Sequence, residues 1–292
     1  MLDRYKPSGA VAPLTPVFLI PLAVAGAAIG AVDGVACFYN RWVFFTFVLP
    51  FFFVVGVGYA TYKVVGVSHC RNRWVGYAMG AWTGVAAVVA AHTVMYLLAR
   101  GAAAAPPADF LDYLHLKVSQ GWTASRPVTT RVAGIITVCF WSLEALVVIL
   151  SGLLGAEGAV SDAYCEGCGR RASRLVEEVV IPGLTGPAVE RLRKAETLDE
   201  LLHPPLDGAH TDFQAVVYEL RGCPGCDRTR FLSISWRETT FDAKGKSKVA
   251  DSSIRQQVVF PPELAPELDR LKDRAAAALA KAPPVTRGGR QV

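Results

Sequence analysis

Four long apolar stretches fill the first half of the chain: about Pro16–Phe38, Val43–Val65, Trp74–Leu98 and Val132–Gly155. A helix rises about 1.5 Å per residue, so roughly 20 apolar residues cross a hydrocarbon core of about 30 Å. Inside hydrocarbon every backbone N–H and C=O must find its partner within the protein, which leaves helices as the spanning element. A buried core helix of a soluble protein explains any one such stretch. It does not explain four in succession with Tyr39, Trp42, Trp74 and Trp141 at or near their ends, where aromatic rings anchor spans at the interface. The expected class is therefore membrane α-helical, a four-helix transmembrane bundle.

Charge marks where this half ends. Residues 1–160 carry 10 Lys/Arg and 6 Asp/Glu, and residues 161–292 carry 20 and 19. The first part is apolar and charge-poor; the second is charge-dense and nearly neutral. The predicted domains are 1–160, a transmembrane domain; 161–260, a small α+β soluble domain; and 261–292, a C-terminal helix with a disordered tail. A net +1 on the soluble part gives no field for nucleic acid, so that partner class is set aside.

The first stretch follows Arg4 and Lys6 as a secretory signal would, but its apolar run is longer, so a retained signal anchor is expected. With four spans both ends share a side with the link holding Arg71 and Arg73. That side also carries Arg4, Lys6, Lys63, Arg170, Arg171 and Arg174. The other side has Arg41 in a short link, and Arg100, Lys117, Arg126 and Arg131 spread over a longer one. The positive-inside bias predicts a multi-pass inner-membrane protein with both termini cytoplasmic.

Two spans carry glycine ladders, Gly26/Gly30/Gly34 and Gly76/Gly80/Gly84. Such small-xxx-small faces let a neighbouring helix approach closely. The first and third spans run the same way with their ladders at different depths. Each ladder is thus expected to receive an antiparallel neighbour, or a second protomer in a homo-oligomer. Asp33, His92 and Glu144 fall inside spans, in the outer half. Ionisable groups there are costly in lipid, so a polar cluster inside the bundle is expected. It acts either as a hydrogen-bonded staple or as a proton, ion or ligand site. Between the third and fourth spans, residues 108–120 form a helix with Phe110, Leu111, Leu114 and Val118 on one face. It suits an amphipathic helix flat on the outer leaflet; a lid packed on the bundle is the competing reading.

Two cysteine pairs follow, Cys165-Glu-Gly-Cys168 and Cys223-Pro-Gly-Cys226. Each tight loop can turn two sulfurs toward one ion, and two such loops make a four-thiolate tetrahedral site. Four protein ligands leave no position for substrate, so the expected cofactor is structural Zn2+, supplying much of the folding free energy of a small module. Rubredoxin-type iron uses similar loops. Thiol redox chemistry is a third reading, though no thioredoxin-like βαβ pattern surrounds the pairs. Cys37, Cys70 and Cys139 lie singly in or beside apolar sequence and read as small buried hydrophobes.

The pairs are 54 residues apart. Glu190–His203 within that gap is predicted as a helix, an insert at about 188–203 between knuckles. Phe213–Arg221 enters the second pair as a strand. Arg230–Phe241 leaves it, with Leu232, Ile234 and Trp236 on one face and Phe231, Ser233 and Ser235 on the other. Residues 242–246 are a turn, Ile254–Phe260 the return strand, and Leu264–Lys281 a charged, Ala-rich helix. Arg170, Arg171, Arg174, Arg221, Arg228 and Arg230 surround the pairs and offer membrane-surface contacts to anionic headgroups, or a plain solvated rim.

In order, Phe110-Leu-Asp-Tyr-Leu, Gly121-Trp-Thr, Trp141-Ser-Leu-Glu-Ala, Tyr164-Cys-Glu-Gly-Cys-Gly169, Cys223-Pro-Gly-Cys226 and Leu232-Ser-Ile span residues 40–260. This series resembles uncharacterised bacterial multi-span membrane proteins that end in a zinc-ribbon-like domain. The resemblance implies the architecture above and carries no activity, substrate or catalytic residue.

The soluble half shows no nucleophile–base pair, phosphate-binding glycine loop or paired acid/base carboxylates, and His203 and His210 fall in loop-like sequence. The expected function is thus non-enzymatic: a membrane protein presenting a cytoplasmic zinc module to an unknown protein partner or to the membrane surface. A small transport or sensing bundle using Asp33, His92 and Glu144 is the first alternative, and membrane-bound thiol redox chemistry the second.

Overall fold

A computed structural model describes residues 2–40, 43–102, 107–120, 122–123, 131–132, 134–182, 184, 186–206, 214–226, 228–241 and 246–281. Arg41, Trp42, the spacer at 103–106, Arg126, His210, the turn at 242–245 and the tail after Lys281 lie outside them. The chain divides into two compact units, Pro7–Asp162 and Met1–Lys6 with Ala163–Val292.

The helical unit begins with a 3-10 turn, Thr15–Phe18, and continues as α1 (Leu19–Tyr39), α2 (Val43–Val67), α3 (Arg73–Ala102), α4 (Phe110–Gln120) and α5 (Ile135–Ser161). Two short strands between α4 and α5, β1 (Trp122–Thr123) and β2 (Arg131–Val132), pair antiparallel. α1, α2, α3 and α5 are long and apolar enough to cross a membrane. Their outward faces are Val, Leu, Ile and Phe: Ile20, Val32, Phe52, Ile135 and Leu154 are all exposed. Only 22% of the most apolar stretch of α1, α2 or α3 is buried, and 17% in α5. A water-soluble bundle buries its apolar stripe and exposes charge; this one does the reverse.

Glycines set the contacts inside. A Cβ at Gly26, Gly30 or Gly34 would collide with the backbone of Thr83, Ala87 or Ala91, so α1 lies directly against α3. The numbers rise together, so the two helices are parallel. This corrects the expectation of an antiparallel neighbour for the first ladder: the groove of α1 receives not the glycines of α3 but its own small face, one turn further along. The second ladder does take an antiparallel partner, with Gly76, Gly80 and Gly84 meeting Val160, Gly152 and Ile149 of α5. Gly58 and Gly155 bring α2 onto α5. A homo-oligomer through either ladder would require one of these packings to open.

α4 packs on the bundle through Tyr113, which is buried against Tyr96 at a ring separation of 5.8 Å. Leu111, assigned by spacing to the apolar face, is 66% exposed. Phe110, on the predicted apolar face, joins the same contact at 5.8 Å from Tyr96, so one predicted residue and Tyr113 make the docking.

Arg71, one of the positive charges of the link before the third span, is 2% exposed, and its Nη1 donates to the carbonyls of Ala159, Val160 and Asp162 at 3.1–3.4 Å. The last carbonyls of a helix lack intrahelical partners and carry its negative pole, so a guanidinium there satisfies both needs. Tyr62 donates to Asp162 at 2.7 Å beside it.

The second unit holds β3 (Tyr164–Cys165), β4 (Arg170–Arg171), β5 (Arg174–Pro182), α6 (Gly186–Lys194), α7 (Leu198–Leu202), β6 (Gln214–Gly222), β7 (Arg230–Phe241), β8 (Ser247–Phe260) and α8 (Ala265–Lys281). β3 and β4 form a small hairpin. β5-β6-β7-β8 form one antiparallel sheet. One face of it, including Ile181, Tyr218, Leu232 and Ile234, packs against Leu192, Leu201 and Leu268 from the three helices. The gap between cysteine pairs is thus part of the core: it supplies β5, which the sequence analysis does not assign, and two helices where one was expected. The break falls at Ala195–Thr197, where Thr197 accepts from the Glu200 N–H and Glu200 from the Thr197 N–H, a capping box that starts α7. Tyr218 closes the other end, donating to the Leu201 carbonyl at 2.8 Å.

Candidate metal centre

The β3–β4 hairpin and the β6–β7 turn carry the two cysteine pairs. In the first, the Cys168 and Gly169 N–H groups donate back to the Cys165 carbonyl at 3.3 and 2.9 Å. Gly169 has φ +62°, the left-handed conformation that a side chain disfavours, and this closes the loop. In the second, the Cys223 N–H donates to the Thr229 carbonyl at 3.2 Å, and the Gly225 N–H donates to Cys223 Sγ at 3.3 Å.

The four Sγ atoms of Cys165, Cys168, Cys223 and Cys226 all lie within 4.8 Å of one another, and Cys165 and Cys226 are 3.7 Å apart. Thiolates bound tetrahedrally at about 2.3 Å sit roughly 3.8 Å apart. The spacing is non-bonded and fits one tetrahedral ion. Cys165 and Cys223 are buried, Cys226 is half-buried and Cys168 is exposed, so the group sits at the surface end of the module. Burial pushes the Cys165 thiol up. The Thr229 hydroxyl at 3.3 Å, the Cys168 N–H and the neighbouring thiols outweigh this and draw it down to about 7. The Cys226 and Cys165 sulfurs beside it, with some burial, push Cys168 up to about 12. One site holding four sulfurs loses its protons unequally, as close titrating groups must. A cation replaces those protons and removes the repulsion, so the donor set can hold a metal ion.

Thr229 is the residue at this site that the sequence does not announce; no spacing rule links a threonine three positions after a cysteine to a sulfur 64 residues earlier. The six arginines all come to the knuckle end of the sheet. Arg170 pairs with Cys165, Arg171 with Tyr164, and both Arg174 and Arg230 with Gly222. Arg228 is exposed in the second loop. Arg221 is bound to Glu219 at 2.6 Å, which cancels its charge locally.

Within the helical unit, Asp33 is 7% exposed and accepts from Cys37 Sγ at 3.7 Å. Glu144 lies within electrostatic range of both. His92 packs edge-on against Trp141 at 5.3 Å, and its Nδ1 is buried with no hydrogen-bond partner among the described residues. Asp33, Cys37 and Glu144 thus form one group, and the His92 ring packs against Trp141, one turn before Glu144 on α5. His203 is exposed, as its loop-like sequence predicts, with Nδ1 3.1 Å from the exposed Asp199 carboxylate.

No protein-family model, curated protein or solved structure matches the chain.

Proposed function

We propose that this is a non-enzymatic integral membrane protein whose four apolar helices anchor a zinc-ribbon-like module on the cytoplasmic side of the inner membrane. The module presents its arginine-rich knuckle end to a protein partner or to anionic headgroups. The observation that carries this reading is the convergence of four sulfurs at tetrahedral spacing, the first of them four residues along the chain from the end of a helix whose outer face is apolar. Zinc is favoured because a closed four-thiolate set is its usual structural site. Iron in the same loops would colour the protein, which a visible spectrum distinguishes.

Topology supports the placement. Residues 3–5 pair with 257–259 of β8, so the segment before α1 and the C-terminal unit share a compartment. Four crossings meet that condition; three or five do not. The positive-inside bias makes the compartment the cytoplasm. The test is protease access to tags at either end in oriented vesicles. Both tags cut only in inside-out vesicles is the expected result. Tags on opposite sides, or release of the chain by alkaline carbonate, would contradict it.

A second reading, a small sensing or transport bundle, draws on the Asp33–Cys37–Glu144 group and the buried His92 Nδ1, which has no hydrogen-bond partner among the described residues. Loss of a transport or pH phenotype in Glu144→Gln, with folding intact, supports it; unchanged behaviour assigns the group to packing.

A further inference from the structure

The outer edge of β8 is deformed in a way that sheet formation alone does not require. Its pairing with β7 slips between Leu232↔Val258 and Ile234↔Arg255. At the slip Gln257 has φ +52°, a left-handed conformation that a non-glycine residue disfavours. Such residues persist where surrounding contacts hold them, and they cluster at functional positions. The Gln257 N–H is held by Ser233 Oγ at 3.3 Å, and its carbonyl accepts the Tyr5 N–H at 2.9 Å. Two residues on, the Val259 N–H donates to the Asp3 carbonyl at 2.8 Å. The bulge thus aims two backbone groups of β8 at one short extended segment, Leu2–Lys6. Pro7, with no N–H, cannot continue the pairing.

Side chains complete the grip. Leu2 packs against the core under the sheet. The Tyr5 ring stands edge-on to Phe231 at 5.4 Å. Phe231 is on the face of β7 away from the helices, yet it is only 3% exposed. The Tyr5 hydroxyl donates to Glu166 Oε1 at 3.3 Å, and Glu166 lies between Cys165 and Cys168 in the first knuckle.

We infer that the β8 edge is a strand-docking surface whose partner is the chain's own Leu2–Lys6 segment, and that docking there is linked to metal occupancy of the first knuckle through Tyr5 and Glu166. The linkage rests on the metal reading given above; the docking does not. A metal that fixes the Cys165–Cys168 loop fixes Glu166 where Tyr5 needs it. By reciprocity the docked strand raises metal affinity by the same factor.

Trypsin tests this on the full-length protein in mild detergent, with metal content measured in parallel. Arg4 is exposed and followed by Tyr5, whereas Lys6 precedes proline and is not cut, so one cleavage reports the segment. Cleavage of a docked strand tracks its open population. Metal-loaded wild type is expected to resist, and chelation to speed the cut several-fold. Tyr5→Ala loses the aromatic pair and the hydroxyl together and is cut about tenfold faster even when loaded. Tyr5→Phe keeps the Phe231 contact and is cut at one rate with or without metal. A Tyr5→Ala rate equal to wild type overturns docking. A wild-type rate unmoved by chelation, with metal shown to be lost, overturns linkage. Protein that never holds metal refutes the metal reading and the linkage with it, while the Tyr5→Ala comparison still decides docking.

Discussion

Gly30→Ala adds one methyl at the closest approach of α1 and α3. That methyl would lie 2.8 Å from the Ala87 carbonyl carbon and 3.0 Å from its Cα, and closer still to the carbonyl oxygen. All three are backbone atoms, so no rotamer change relieves the clash. The helices must separate locally by about 1 Å, and a gap of that size forfeits a quarter to a half of each contact's attraction. The loss extends to Gly26 against Thr83 and Gly34 against Ala91, one turn either side. In the bilayer proposed for these helices, the exposed surface gains nothing in return. A cost of about 1–3 kcal/mol is expected, the range for overpacking a tight interior. Gly56→Ala is the control, because its methyl meets only the Ile29 side chain at 3.4 Å and removes a helix-weakening glycine. Both variants are to be unfolded by SDS titration from mixed micelles and followed by tryptophan fluorescence. Gly30→Ala should shift the midpoint down while Gly56→Ala leaves it unchanged or raises it. Equal midpoints would refute the argument that backbone contact between α1 and α3 holds this bundle.

Arg71→Leu removes the donor to the last carbonyls of α5 and leaves buried acceptors without it; hydrogen bonds to a charged group contribute about 1.5–3 kcal/mol, and the same SDS titration should show a loss of that order. Tyr218→Phe keeps the ring in the core and strands the Leu201 carbonyl, so the sheet-containing unit should lose about 1–3 kcal/mol in chemical denaturation, with the helical unit unaffected.

Much of this was legible in the sequence because it depends on long periodic runs. The second apolar stretch, expected over Val43–Val65, forms as Val43–Val67. The fourth, expected over Val132–Gly155, starts at Ile135 and runs to Ser161, since α5 continues past its apolar core toward the first knuckle. The cysteine pairs converge as their spacing predicts. What escaped depends on single side chains or distant partners. β5 carries Leu175 and Val176 exposed beside each other before Val179 and Ile181 turn inward, so its alternation is spoiled. Tyr113 is not among Phe110, Leu111, Leu114 and Val118, the residues that helical spacing puts on the apolar face, yet it is the buried one. The strand at Leu2–Lys6 pairs with residues some 250 positions away, and no local pattern signals such a pairing. Arg71 looks like any loop arginine until α5 ends beside it.

The most direct test of the central claim is the metal content of the full-length protein, purified in mild detergent without added metal. About one zinc per chain is expected, lost in a Cys165→Ser/Cys223→Ser variant, because four thiolates at this spacing form one closed site. A metal-free chain whose four thiols are oxidised in pairs would contradict the account, along with the cytoplasmic placement it assumes.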